Sequence, residues 1–137
     1  MRRLSPLLAL FAALVSTSAF AAPRACPVGL HPATTAELYL GRDTPDAGAG
    51  ISEADWRRFV DAEVAPRFPD GLSASDVYGQ WQNQKGVFVR QETKALVLVM
   101  SGAPGERERL AQVGDAYKQR FHQDSVRMIE QDGCVGF

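Results

Sequence analysis

The chain predicts an α+β domain of the ferredoxin-like plan, β-α-β-β-α-β: a four-stranded antiparallel sheet with two helices on one face. Three observations point there. Two segments repeat apolar residues at helical spacing, short strand-like runs flank them, and a Pro/Gly-punctuated stretch separates each element from the next.

The elements follow in order. Residues 22–35 carry Pro23, Pro27 and Pro32 and read as an irregular N-terminal segment. The domain proper is expected over 36–137. Glu37 to Leu40 is the first strand, and Gly41 to Gly50 is a loop by composition. The first helix opens at Ser52, whose side chain can cap free backbone donors, with Asp55 three residues on. Ile51 is placed to pack on Trp56. Trp56, Phe59, Val60 and Val64 share one helical face, and Pro66 ends it.

Phe68-Pro69-Asp70-Gly71 is a turn. Ala74–Trp81 and Val87–Met100 are strands, joined by a hairpin at Asn83-Gln84-Lys85-Gly86. The second helix is expected from Pro104 to Phe121, with Leu110, Val113, Tyr117 and Phe121 inward. Val126 to Glu130 is the last strand.

Ala95 to Met100 is apolar on both faces of its strand, as in strands buried on both sides. Two helices cover one face only. The other needs a cover, either the segment 23–35 or a second subunit in a homodimer.

Residues 1–21 read as a cleaved secretory signal peptide. Met1-Arg2-Arg3 is basic, Leu7 to Val15 is apolar, and Ala19-Phe20-Ala21 is a small-residue cleavage site, with the cut near Ala21 or Ala22. The apolar run is shorter than the ~20 residues needed to span a bilayer. The expected localisation is periplasmic or secreted, with no integral membrane segment after cleavage. Without Arg2 and Arg3 the balance is 13 basic to 16 acidic residues, a formal charge of −3. That excess of acid and the lack of a basic stripe disfavour nucleic acid as a partner.

Cys26 and Cys134 are the two cysteines. An exported chain with one such pair is expected to join them; the competing uses are lipidation of Cys26 and a thiol paired between molecules. In the 4-1-3-2 strand order of this plan, the start of strand 1 lies beside the end of strand 4. The topology therefore brings the two thiols together.

No metal-ligand spacing surrounds His31 or His122, and no cofactor is expected. A nucleophile elbow, a phosphate loop and a dinucleotide fingerprint are also missing from the sequence. Arg90, Glu92 and Lys94 alternate along one strand and so share a face, either lining a cleft or forming a solvated ion-paired surface.

Four stretches carry a resemblance: Glu37-Leu38-Tyr39-Leu40-Gly41, Pro66-Arg67-Phe68-Pro69-Asp70-Gly71-Leu72, Gly79-Gln80-Trp81 and Glu92-Thr93-Lys94. Over residues 36–137 the chain resembles a family of small exported bacterial proteins of uncharacterised function. The resemblance implies export and a compact α+β domain, and names no activity. It directs attention to Arg67, Gln80, Trp81, Glu92 and Lys94, which with Arg90 make the candidate ligand-binding set. The expected function is a non-catalytic binding or interaction domain for an unknown small molecule or protein. The alternative is a small-molecule enzyme on a dimeric α+β barrel, of monooxygenase or isomerase type.

Overall fold

The computed structural model describes residues 25–44, 48, 50–82 and 85–136. The expected signal peptide, and Asn83 and Gln84 of the hairpin turn, lie outside the described residues.

Six elements follow in the expected order: β1 (His31–Gly41), α1 (Glu53–Phe59), β2 (Ser73–Gln82), β3 (Phe88–Met100), α2 (Glu106–Phe121) and β4 (Arg127–Val135). The sheet order is β2-β3-β1-β4, and every neighbouring pair is antiparallel. Read from the β4 edge this is 4-1-3-2, the order expected of two interleaved β-α-β units.

Each helix begins and ends for a local reason. Ser52 caps α1, its hydroxyl accepting from the Asp55 backbone N–H at 3.1 Å. Beyond Phe59 the helix widens into a π-helical segment, Val60–Val64, closed by Ala65 N–H donating to Val60 O at 2.9 Å. Pro66 then stops the run, as expected, because it has no N–H to continue the ladder. Helix α2 starts after Gly105, whose φ of 80° suits glycine.

The core lies between the helices and one face of the sheet. Ala36, Leu38 and Leu40 of β1, and Leu96, Leu98 and Met100 of β3, face Trp56, Phe59, Val64, Leu110, Val113, Tyr117 and Phe121. The helical faces expected from spacing are thus the buried ones. Phe59, Tyr117 and Phe121 stack edge-on or tilted, with centroids 4.8–5.8 Å apart. Such pairs add ~0.5–1.5 kcal/mol beyond area burial.

Two strands are longer than the sequence suggests. Residues 31–35 are not irregular: they form the first half of β1, and His31 to Thr35 pair with Val135 to Gln131. Pro32 is tolerated there because its carbonyl, not an N–H, is what it can offer a ladder. Likewise β4 continues to Val135, so Cys134 lies inside the strand rather than past it.

Cys26 and Cys134 form a disulfide with Cα atoms 5.6 Å apart. The thiols meet where the topology placed them, and the lipidated alternative for Cys26 falls away. Cys134 opposes Pro32, and by strand alternation both share the face of Thr34 and Asp132, whose side chains bond at 2.7 Å. That is the helix-covered face, since Thr34 also opposes Met100. The bridge therefore holds the segment before β1 away from the open face. Residues 25–35 do not cover the open face as expected of one candidate cover, because 31–35 are part of the sheet itself.

Candidate functional site

Arg90, Glu92 and Lys94 share one face of β3, as expected, and the register makes it the helix side. Their depths differ sharply. Lys94 is buried, with 6% of its side chain exposed, while Arg90 and Glu92 are exposed. Lys94 opposes Leu40 and Asp76 and lies under Trp56, 5.8 Å from the ring centroid. Two residues earlier along β3, Glu92 is exposed.

The Lys94 ammonium has two partners. It donates to Asp76 at 2.8 Å, from β2, and to Glu53 at 2.9 Å, from the first turn of α1. Arg42 approaches the same two carboxylates at 3.7 Å each. Burial pulls the Lys94 pKa down, but the Asp76 and Glu53 carboxylates outweigh it and hold the pKa above the usual lysine value. Asp76 and Glu53 are held below the usual carboxylate range, chiefly by the Lys94 hydrogen bond. Lys94, Arg42, Asp76 and Glu53 thus tie the end of β1, α1, β2 and β3, with exposed Arg57 a further 3.7 Å neighbour of Glu53.

Arg42 also fastens the loop between β1 and α1. Its backbone N–H donates to Glu92 O, its carbonyl accepts from Ile51 N–H at 2.7 Å, and its Nε and Nη2 donate to Ile51 O. From the other side, Tyr117 of α2 donates its hydroxyl to Gly41 O at 2.8 Å. Gly50 has a φ of 72°, and a Cβ there would lie 2.8 Å from Arg42 O, so this closure needs glycine. The loop base and Glu92 line a cleft of about 430 Å³, walled by Arg42, Asp43, Thr44, Ile51 and Ser52. The Glu92 and Asp43 carboxylates enter no ion pair among the described residues.

The rest of the sequence-predicted set divides in two. Gln80 and Arg90 are brought together: they oppose each other in register, and Arg90 Nε donates to Gln80 Oε1 at 3.3 Å. Trp81 opposes Val89 on the other face and is 42% exposed. Arg67 is engaged elsewhere, bonding Glu63 beyond α1 and Gln112 on α2. Arg42, Glu53 and Asp76, the partners of Lys94, were not singled out from sequence. An acid in the first turn of α1 and an acid on β2 carry no shared motif.

A second feature emerges from the register. The last residue of β1 to pair with β3 is Gly41, opposite Thr93. Gly79–Gln82 and Phe88–Gln91 therefore pair only with each other. They form a two-stranded ribbon running ~13 Å past the sheet, at ~3.3 Å per residue. Tyr78, Trp81, Val87 and Phe88, at or beside this ribbon, are all 42–65% exposed. Aromatic side chains sit on both of its faces: Tyr78 and Phe88 on the helix side, Trp81 on the open side. An isolated two-stranded hairpin is marginally stable in water, and this one carries its aromatic side chains exposed.

Among the described residues no three His, Cys, Asp or Glu side chains are grouped to hold a metal ion, and no helix is long and apolar enough to cross a membrane.

The fold and its bridge define a small disulfide-stapled α+β domain with an open sheet face and a projecting ribbon. Over residues 35–137 the chain belongs to DUF3574, a family of proteins of unknown function. No curated protein matches the chain. Among solved structures it is similar to a phage SAM lyase in complex with S-methyl-5′-thioadenosine, with a TM-score of 0.58 and 13% identity over 77% of this chain and 90% of that one. It is similar also to a phage SAM lyase in its apo state, with a TM-score of 0.57 and 15% identity over 85% and 97%. At these identities the likeness is one of fold.

Proposed function

We propose that the chain is an exported interaction domain whose working surface is the β2–β3 ribbon. The observation that carries this reading is the exposure of Tyr78, Trp81, Val87 and Phe88 on a ribbon with no third strand beside it among the described residues. Export rests on the Met1–Ala21 pattern, and the Cys26–Cys134 bridge fits an oxidising compartment.

Two measurements test it. Expressed from its first residue in a bacterial host, the chain should fractionate with the periplasm or medium and lack residues 1–21 or 1–22 by mass. A full-length cytoplasmic product would refute export. A photo-crosslinking residue at Phe88 should then give one discrete adduct, while the same residue at exposed Arg107 on α2 gives none. No adduct from Phe88 would refute the ribbon as a working surface.

A second reading, a small-molecule enzyme, is favoured by the cleft beside Glu92. The phage lyases that share the fold include one holding S-methyl-5′-thioadenosine, so that compound is the probe. Thermal stabilisation of this domain by it, abolished in Glu92→Ala, would favour the enzyme reading over the ribbon.

A further inference from the structure

Resting on the ribbon reading, we infer that the partner is a second copy of this chain, joined edge to edge through β2 about a two-fold axis at Gly79. The two sheet edges are built differently. At the β4 edge, Arg127, Glu130 and Asp132 put three charges into nine residues, Glu130 is paired to Arg107, and the disulfide closes the end. Charges of this kind are what keep natural edges from pairing. At the other edge, β2 runs ten residues, Ser-Ala-Ser-Asp-Val-Tyr-Gly-Gln-Trp-Gln, with no proline, lysine or arginine. Its one charge, Asp76, is bonded to Lys94 of the neighbouring strand with its own side chain 71% exposed, so this edge carries a single charge in ten residues against three in nine at β4. Its outer row of backbone donors and acceptors is a ready template for another strand.

The sequence of that edge is complementary to itself. With a two-fold normal to the sheet, both helix layers lie on one side, and opposed residues must share a face. Centred on Gly79, the pairing sets Val77 against Trp81 of the second copy, twice, on the open face. On the helix side Tyr78 opposes Gln80, and Asp76 opposes Gln82, an amide rather than a like charge. Centring on Asp76 would instead oppose two carboxylates, which is destabilising. At Gly79 the two backbones meet with no side chain between them. A Cβ there would lie 3.0 Å from Thr93 Oγ1, so the site favours glycine, and the neighbouring indole can cover it. The pairing gives each marginal ribbon its missing third strand.

The mature chain, purified oxidised, tests this by sedimentation equilibrium. The expected mass is that of two chains at about 100 μM, and Trp81→Lys should return it to one chain with unchanged circular dichroism. The register is read separately by copper-catalysed oxidation. Tyr78→Cys and Gln80→Cys chains should form an intermolecular disulfide when mixed, and neither should do so alone. A single-chain mass at that concentration overturns the inference, as does a Tyr78→Cys chain that crosslinks to itself. If the chain is monomeric while Phe88 still crosslinks to a different protein, the ribbon reading stands and the self-pairing alone is wrong.

Discussion

Tyr117→Phe isolates one hydrogen bond that joins the second helix to the loop bordering the cleft. Tyr117 is fully buried, and its hydroxyl donates to Gly41 O at 2.8 Å. The substitution removes the hydroxyl and keeps the ring, so the stacking on Phe59 and Phe121 is retained. A neutral hydrogen bond contributes ~1 kcal/mol net, and a buried carbonyl losing a partner costs ~1–3 kcal/mol. Gly41 lies in a strand and keeps its ladder, which places the expected loss at the low end, ~1–2 kcal/mol. For a domain of this size that corresponds to a Tm about 4–10 °C lower. Urea unfolding should show a lower midpoint at unchanged m, because the surface exposed on unfolding is the same. Burial also pushes the Tyr117 phenol far above its usual value. Absorbance titration of the folded domain near pH ~10 should therefore be the same in parent and variant. A midpoint equal to or above the parent's would refute the reasoning, since it would mean the bond contributes nothing net.

Three further outcomes follow from other contacts. Breaking the Cys26–Cys134 bridge, which spans 108 residues, should lower stability by ~2–5 kcal/mol, measured as the urea midpoint of Cys26→Ser/Cys134→Ser. Alkylation of the unfolded parent should label no thiol before reduction and two after it. Acid should weaken the Lys94 cluster: because Asp76 and Glu53 titrate below their usual values when folded, the stability they contribute is complete above the usual carboxylate range and is lost as pH falls through the lowered values. Lys94→Met should accordingly shrink the difference in urea midpoint between pH 7 and pH 3, and an unchanged difference would count against the cluster. Ser52→Ala should cost ~1 kcal/mol through loss of the α1 cap, read from the same unfolding curves.

What the chain showed in advance depended on how far each signal reached along it. Leu110, Val113, Tyr117 and Phe121 declare a helix because their spacing is local, and Ser52 with Asp55 declares where the other helix starts. The cysteines could be joined because the element order alone sets which strand ends are neighbours. Strand ends were hidden for the opposite reason. His31 to Thr35 contain a proline and little apolar patterning, and are extended only because β4 pairs with them. The same holds for Glu130 to Val135, whose polar residues form the outer edge. Alternation placed Lys94 on one face with Arg90 and Glu92 and could give neither which face nor its depth, the latter set by the reach of Trp56 across the sheet. Its partners Glu53 and Asp76 come from separate elements, so no spacing announced them. The ribbon was equally invisible, since it is defined by where β1 stops pairing.

The bridge also decides how the molecule bears load. Cys26 and Cys134 enclose every helix and strand of the described residues except Val135, the last residue of β4. A pull applied at the two termini runs through sulfur and bypasses the sheet. A proteolytic machine that threads a substrate from one end would meet a covalent loop instead of a single strand, and would have to pass two chain segments abreast or wait for a reductant. Wherever no reductant reaches it, that closure lengthens survival in a way that no increase in folding free energy would reproduce.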